Sequence, residues 1–155
     1  DTARFYEAMQ LLRKHFPDCG LTCDVIVGFP GESEQHQTET LEFLKKARFS
    51  DAHIFPYSRR PGTPADKMDG QLDRATKAKR SKQAQTVVAE TRDEFLRSMI
   101  GKTLPVLFET KHGKGWLGHS DNYLEVMAEG EELRGTVRNV SIHTVSDGIL
   151  VGNVI

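Results

Sequence analysis

Apolar residues recur along this chain with changing periods. Phe5, Ala8, Met9, Leu12 and Phe16 stand at i, i+3, i+4, i+7 and i+11, which predicts a helix starting near Thr2, with these residues as its inner face and Pro17 as its stop. Residues 21–29, LTCDVIVGF, then read as a strand. Because Val25, Ile26 and Val27 are consecutive rather than alternating with polar groups, the pattern predicts a strand covered on both faces, as in a parallel sheet flanked by helices. Ser33 is the expected N-cap of the next helix, with Leu41, Leu44 and Ala47 inside, and residues 52–57 form a second strand. The order helix, strand, helix, strand is α/β architecture, and right-handed crossover makes the two strands parallel neighbours. Two strands do not make a self-standing sheet. With Asp1 opening directly on a helical pattern, the chain reads as a segment of something longer.

Over residues 58–70, SRRPGTPADKMDG, the periodicity lapses, and Pro-Gly and Thr-Pro predict fixed turns rather than a flexible linker. A helical pattern resumes from Gln71 to about Ser98, marked by Leu72, Ala75, Ala84, Val88, Phe95 and Met99, and its length suits a connector between units. From Gly101 the period becomes that of strands. TLPVLFET, KGWLGH, NYLEVM, RGTVRNVSIH and GILVGNV are short β-type runs separated by Gly, Asp and Asn turns. Five such strands predict a small closed or nearly closed barrel, which removes the sheet edges.

Composition narrows the class further. Among 155 residues, 37% hydrophobic and 28% charged, there is no apolar run long enough to span a bilayer and no signal-peptide pattern, so the expected address is the cytoplasm. The net charge of -1 is unevenly spread: residues 71–100 hold 7 basic and 4 acidic groups, and residues 101–155 hold 5 and 7. The predicted long helix is therefore the basic part of the chain.

Candidate chemistry starts with the stretch GFPGES, residues 28–33. A phosphate-binding P-loop needs Lys and Ser or Thr after its last glycine, and here Gly31 is followed by Glu32 and Ser33, so that reading fails. Two readings stand: a plain strand-to-helix turn, or glycines that let a ligand approach the backbone at the carboxyl edge of parallel strands. Cys19 and Cys23, in CGLTC, lack a third thiolate or nearby His for a metal and read as small buried thiols. His53, alternating with apolar neighbours, reads as a half-buried structural histidine. Arg59 and Arg60 beside a Pro-Gly turn are either a solvated pair or a binder of phosphate or carboxylate. In the barrel, Lys111 and Lys114 lie near Trp116 and Tyr123, the cation and aromatic pairing used for single-stranded RNA, although Trp116 equally suits the core.

Two motifs, DVIVGFPGES and HIFPYSRRPGTPA, resemble the C-terminal part of the radical S-adenosylmethionine domain of methylthiotransferases. The tail, with IGKTLPVLFE and GHSDNYLEV, resembles their TRAM domain, taken to bind RNA. The resemblance covers the whole chain, and the HIFPYS and VLFE wording is most like the branch acting on threonylcarbamoyladenosine beside the anticodon of tRNA. It implies the last strands of a partial (β/α)6 barrel in residues 1–70, a basic connecting helix in 71–96 and an OB-like TRAM barrel in 97–155. It also implies that Gly28, Phe29, Pro30, Gly31, Glu32 and Tyr57 line S-adenosylmethionine. Residues 58–65 would face the cofactor or substrate mouth, with Ser58, Arg59 and Arg60 as the expected substrate contacts. The cations Lys77, Lys79, Arg80 and Lys82 of the helix, with Lys111, Lys114 and Trp116 of the barrel, are the expected tRNA contacts. The family holds two [4Fe-4S] clusters on cysteines of upstream domains. This sequence lacks both sets, so the segment alone is expected to be inactive. A ribosomal-protein methylthiotransferase and a non-catalytic RNA-binding adaptor are the alternatives.

Overall fold

The computed structural model describes residues 1–155. In chain order the elements are α1 (Thr2–His15), β1 (Thr22–Val27), α2 (Glu34–Ala47), β2 (Asp51–Pro56), a 3-10 turn (Pro64–Lys67), α3 (Arg74–Ser98) and five further strands. These are β3 (Thr103–His112), β4 (Gly115–Ser120), β5 (Glu125–Glu129), β6 (Val137–Ser146) and β7 (Ile149–Val154). No helix is long and apolar enough to cross a membrane.

The chain divides into two compact units, Leu21–Arg92 and Asp1–Gly20 together with Asp93–Ile155. The boundaries read from the sequence, after residues 70 and 96, differ from these for identifiable reasons. Asp18 pairs with Lys102, and its carbonyl accepts a hydrogen bond from Asn122 Nδ2 at 2.9 Å, so the segment after α1 belongs with the barrel. Leu96 and Met99 at the end of α3 are buried in the barrel core, which moves that boundary back into the helix.

In the unit Leu21–Arg92, β1 and β2 pair in parallel, with Asp24 opposite His53 and Ile26 opposite Phe55. The helix α2 starts at a capping box in which Ser33 Oγ accepts from His36 N and His36 Nδ1 accepts from Ser33 N. Val27, Leu44, Ala47, Phe49, Ala52, Ala84, Val87 and Val88 form its buried apolar set. Coverage of both faces, expected from the run Val25, Ile26, Val27, is not what the strand shows: exposure alternates along β1, and Ile26 is 58% and Phe55 50% exposed. One face of the strand pair is packed and the other is open. His53 lies on that open face and is exposed rather than half-buried.

In the other unit β3, β4, β5, β7 and β6 close into a ring, antiparallel except for the β5–β7 pair. Inward positions alternate strictly in β3, where Leu104, Val106 and Phe108 are buried, and Val126, Ala128, Val140, Ile142 and Leu150 complete the core. Closure bends two strands at bulges, between Phe108 and Thr110 in β3 and between Ile142 and Thr144 in β6. Facing them are Gly118 and Gly152, where a Cβ would lie 2.2 Å from Leu107 O and 2.4 Å from Ser141 O. Only glycine admits the backbone approach that closing so small a barrel requires. In α1, Met9 is buried, whereas Phe5, Leu12 and Phe16 of the predicted inner face are exposed.

Candidate functional site

The carboxyl ends of β1 and β2 meet two loops whose geometry is set by short-range bonds. After Val27 the chain turns through Gly28 and Gly31, at φ of +73° and +78°, which glycine adopts without strain. Glu32 folds back into this turn. Its carboxylate accepts from Gly28 N at 2.9 and 3.0 Å and from Phe29 N at 3.4 Å, and its own N–H donates to Phe29 O at 3.0 Å. Gly31 N donates to Gly70 O at 3.0 Å, joining the turn to the end of the second loop.

That second loop, residues 57–70, is equally well tied. Arg59 Nε donates to Asp66 Oδ1 at 2.9 Å and its Nη2 to Asp66 O at 2.7 Å, Thr63 caps the 3-10 turn, and Gln71 Nε2 donates to Ala65 O at 2.9 Å. Tyr57 N donates to Val27 O at 2.8 Å, and its ring meets Phe29 edge-on at 5.2 Å. Between this loop and the open sheet face lies a cleft of about 580 Å³. Ile26, Phe55 and Pro56 give it apolar walls, Asp24 and Arg60 give it one charge of each sign, and Tyr57, Ser58, Thr63 and Ala65 complete the lining. The Tyr57 hydroxyl is buried with no hydrogen-bond partner.

The first turns of α3 reach both loops. Lys77 lays its aliphatic stem over Gly28, where an added Cβ would meet Lys77 Cγ at 2.5 Å, and its Nζ donates to Tyr57 O at 3.1 Å. Arg80 is 3% exposed; its Nη1 donates to Glu32 Oε1 at 2.7 Å and Glu32 O at 2.8 Å, and its Nη2 to Glu34 Oε1 at 2.8 Å. Burial opposes the Arg80 charge, but its hydrogen bonds to Glu34 and Glu32 outweigh that and raise its pKa above the ordinary arginine value. The hydrogen bond from Arg80, then its charge, holds the Glu34 carboxyl below the usual range.

Several expected site residues therefore have other neighbours than the sequence led one to expect. Of the residues read as lining a cofactor, Tyr57 faces the cleft, while Glu32 is turned inward to Gly28 and the space beside Gly28 is filled by Lys77. Gly31 has open space around it, and Pro30 is buried. Ser58 and Arg60 line the cleft; Arg59 holds its own loop instead. Arg80 is not displayed to solvent phosphates, because it is buried and its guanidinium is committed to two carboxylates. Lys79 and Lys82 are exposed on the helix, and Lys111 and Lys114 at the β3–β4 hairpin. The ring of Trp116 packs against the barrel core and its Nε1 donates to Gly130 O at 3.2 Å, so its surface is largely committed to the fold. Thr63 and Ala65, within the segment expected at the mouth, line the cleft, whereas Asp24, Ile26 and Phe55 were not anticipated there. Alternation along β1 and β2 was the available signal for these three, since each follows a less exposed neighbour. No group of three or more His, Cys, Asp or Glu side chains is arranged to hold a metal ion.

No protein-family model matches the chain. Curated relatives do. A threonylcarbamoyladenosine tRNA methylthiotransferase of Bacillus subtilis (strain 168) is 35% identical over 144 residues, 89% of this chain and 32% of that protein. A tRNA-2-methylthio-N(6)-dimethylallyladenosine synthase of Maricaulis maris (strain MCS10) is 40% identical over 157 residues, 98% of this chain and 34% of that protein. Another of the same name, from Bartonella quintana (strain Toulouse), is 34% identical over 152 residues, covering 97% and 33%. The chain's homologues are tRNA methylthiotransferases. It spans about a third of the length of these relatives, whose names divide between two modified adenosines.

Proposed function

We propose that this chain is the part of a radical S-adenosylmethionine tRNA methylthiotransferase that supplies one wall of the adenosyl cleft and an RNA-binding barrel of TRAM type. The intact protein would act in the cytoplasm, with its iron–sulfur cysteines on upstream domains of the same polypeptide. The cleft at the carboxyl ends of β1 and β2 carries this reading: apolar Ile26 and Phe55 for an adenine face, Asp24 for a cationic or hydroxyl group, and a buried Tyr57 hydroxyl that lacks a partner. These residues fit S-adenosylmethionine, one molecule of which would supply the methyl group and another, cleaved reductively, the radical that abstracts hydrogen from the adenine carbon. What the chain itself does is exclude water from one side of the ligand and orient it. Arg60 supports the threonylcarbamoyl branch, because it lines the cleft without an acidic partner and the threonylcarbamoyl group carries a carboxylate that the dimethylallyl group lacks.

Two experiments test this. In the full-length enzyme Arg60→Gln should lower methylthiolation of threonylcarbamoyl-tRNA by roughly 10-fold or more, the worth of a charge-assisted hydrogen bond; unchanged turnover would remove Arg60 from the substrate site. For RNA binding, Lys79→Gln with Lys82→Gln should flatten the slope of log affinity against log salt by roughly 0.7 to 0.9 per lost phosphate contact. A slope equal to wild type would take the helix out of the footprint and leave the hairpin cations Lys111 and Lys114 as the electrostatic contacts.

A further inference from the structure

A strand-to-helix turn with glycines at positive φ points its N–H groups into a concavity, the arrangement that binds phosphate in many nucleotide sites. Here the concavity is already filled from within. Glu32 Oε1 and Oε2 take the N–H of Gly28, Oε2 also approaches that of Phe29, and the negative charge is matched by a guanidinium that is almost wholly buried. Burying an Arg carries a large desolvation cost unless its donors are paired. Arg80 offsets most of that cost with three hydrogen bonds from its two terminal nitrogens, two of them to Glu32 and one to Glu34, while its buried Nε has no partner. Nothing about helix formation demands an Arg at this position: Arg80 continues the buried line of Ala84, Val87, Val88 and Thr91 along α3, where an apolar side chain would ordinarily sit.

We propose that Glu32 is a built-in anion, locked by Arg80 as a positioning residue, which fixes the turn beside the cleft and leaves no free N–H cradle there for a phosphate. For the adenosyl ligand proposed above, a phosphate group would then gain nothing from this turn. The link to the cleft runs through Phe29, whose ring meets Tyr57, and through Val27, whose carbonyl accepts from Tyr57 N. This consequence for ligand choice rests on the adenosyl reading above; the state of the turn does not.

The test removes the anion and offers it back. Glu32→Ala in the full chain leaves a cavity lined by two N–H groups and Arg80, and formate or inorganic phosphate should raise its melting temperature beyond the effect of chloride at equal ionic strength, with no such gain in wild type. Amide exchange at Gly28 and Phe29 should accelerate roughly 10-fold or more in Glu32→Ala and Arg80→Met, recover in part in Arg80→Lys, and stay unchanged at Val106 and Val140 of the barrel. If Glu32→Ala does not fold, Arg80→Met, which keeps Glu32 but removes its partner, carries the exchange readout. Absence of an anion-specific gain, or unaltered exchange at Gly28 and Phe29, overturns the proposal. In the intact enzyme S-adenosylmethionine affinity should fall in Arg80→Met and recover in part in Arg80→Lys. Failure of the wild-type enzyme to bind S-adenosylmethionine would defeat the adenosyl reading while leaving the formate and exchange results decisive for Glu32.

Discussion

At the scale of single residues, charge and size are decided by neighbours that lie far away in sequence. Cys23 sits on the less exposed side of β1, and burial, then the charge of Asp24, pushes its thiol up to about 11. Thiolate scarcity slows alkylation and the greater nucleophilicity of a high-pKa thiolate partly offsets it, so at pH 8 Cys23 should react roughly 10-fold more slowly than an unfolded peptide thiol. Mass-spectrometric labelling rates check this; a rate equal to the peptide's would contradict it. Because the folded pKa is the raised one, this thiol's share of stability is full below its ordinary value of 9.0 and is lost as pH rises from there to about 11. The two turn glycines should also separate. Gly31→Ala meets only the cost of positive φ, about 1 kcal/mol, whereas Gly28→Ala must in addition displace Lys77 and should cost about 2 to 3 kcal/mol by denaturant titration. Equal losses would show that Lys77 moves aside freely. The sequence made the backbone freedom at Gly28 and Gly31 legible but not what fills the space, since Lys77 lies 49 residues further on. Arg80 was misread for a related reason: in a run of cations it looks like surface charge, and only its spacing to Ala84, Val87 and Thr91 marks it as inward.

At the scale of elements, legibility followed the strength of the period. Strict alternation in Leu104, Val106 and Phe108, with glycine turns at short intervals, was enough to place five strands and their closure, because a period-2 pattern fixes which side faces the core. The run Val25, Ile26, Val27 carries no such alternation, and both-sided burial was inferred where one side is open. In α1 the spacing of Phe5, Leu12 and Phe16 gave the helix correctly but not its cover, since periodicity reports which residues share a face and not what packs on it. The barrel's closing contacts yield a sharp expectation. A Cβ at Gly118 would be 2.2 Å from Leu107 O and 2.8 Å from Phe108 Cα, both backbone atoms that cannot turn away. Gly118→Ala should therefore destabilise the barrel by about 3 kcal/mol or more, and Gly113→Ala, with no atom within 4 Å of its Cβ, should pay only for its φ of +59°. Thermal unfolding of the two variants, followed by Trp116 fluorescence, compares them directly; similar melting temperatures would mean that the bulge at Phe108 relaxes to admit the methyl group.

At the scale of the whole molecule, the division of labour is between a unit that carries a cleft on an open parallel strand pair and a unit that is a closed barrel. The exposed Ile26 and Phe55 and the two-stranded sheet are what a cleft wall looks like when the chain spans about a third of its relatives' length, and the proposal assigns the facing wall to the remaining polypeptide. The central claim concerns tRNA, so tRNA is where it is most directly tested. Deleting the gene that encodes this chain and analysing total tRNA nucleosides by mass spectrometry should show loss of the 2-methylthio form of threonylcarbamoyladenosine with accumulation of its unthiolated precursor. The full-length gene should restore the modified nucleoside, and the Arg60→Gln version should not do so fully. A nucleoside profile identical to that of the parent strain, with every methylthioadenosine intact, would contradict the account.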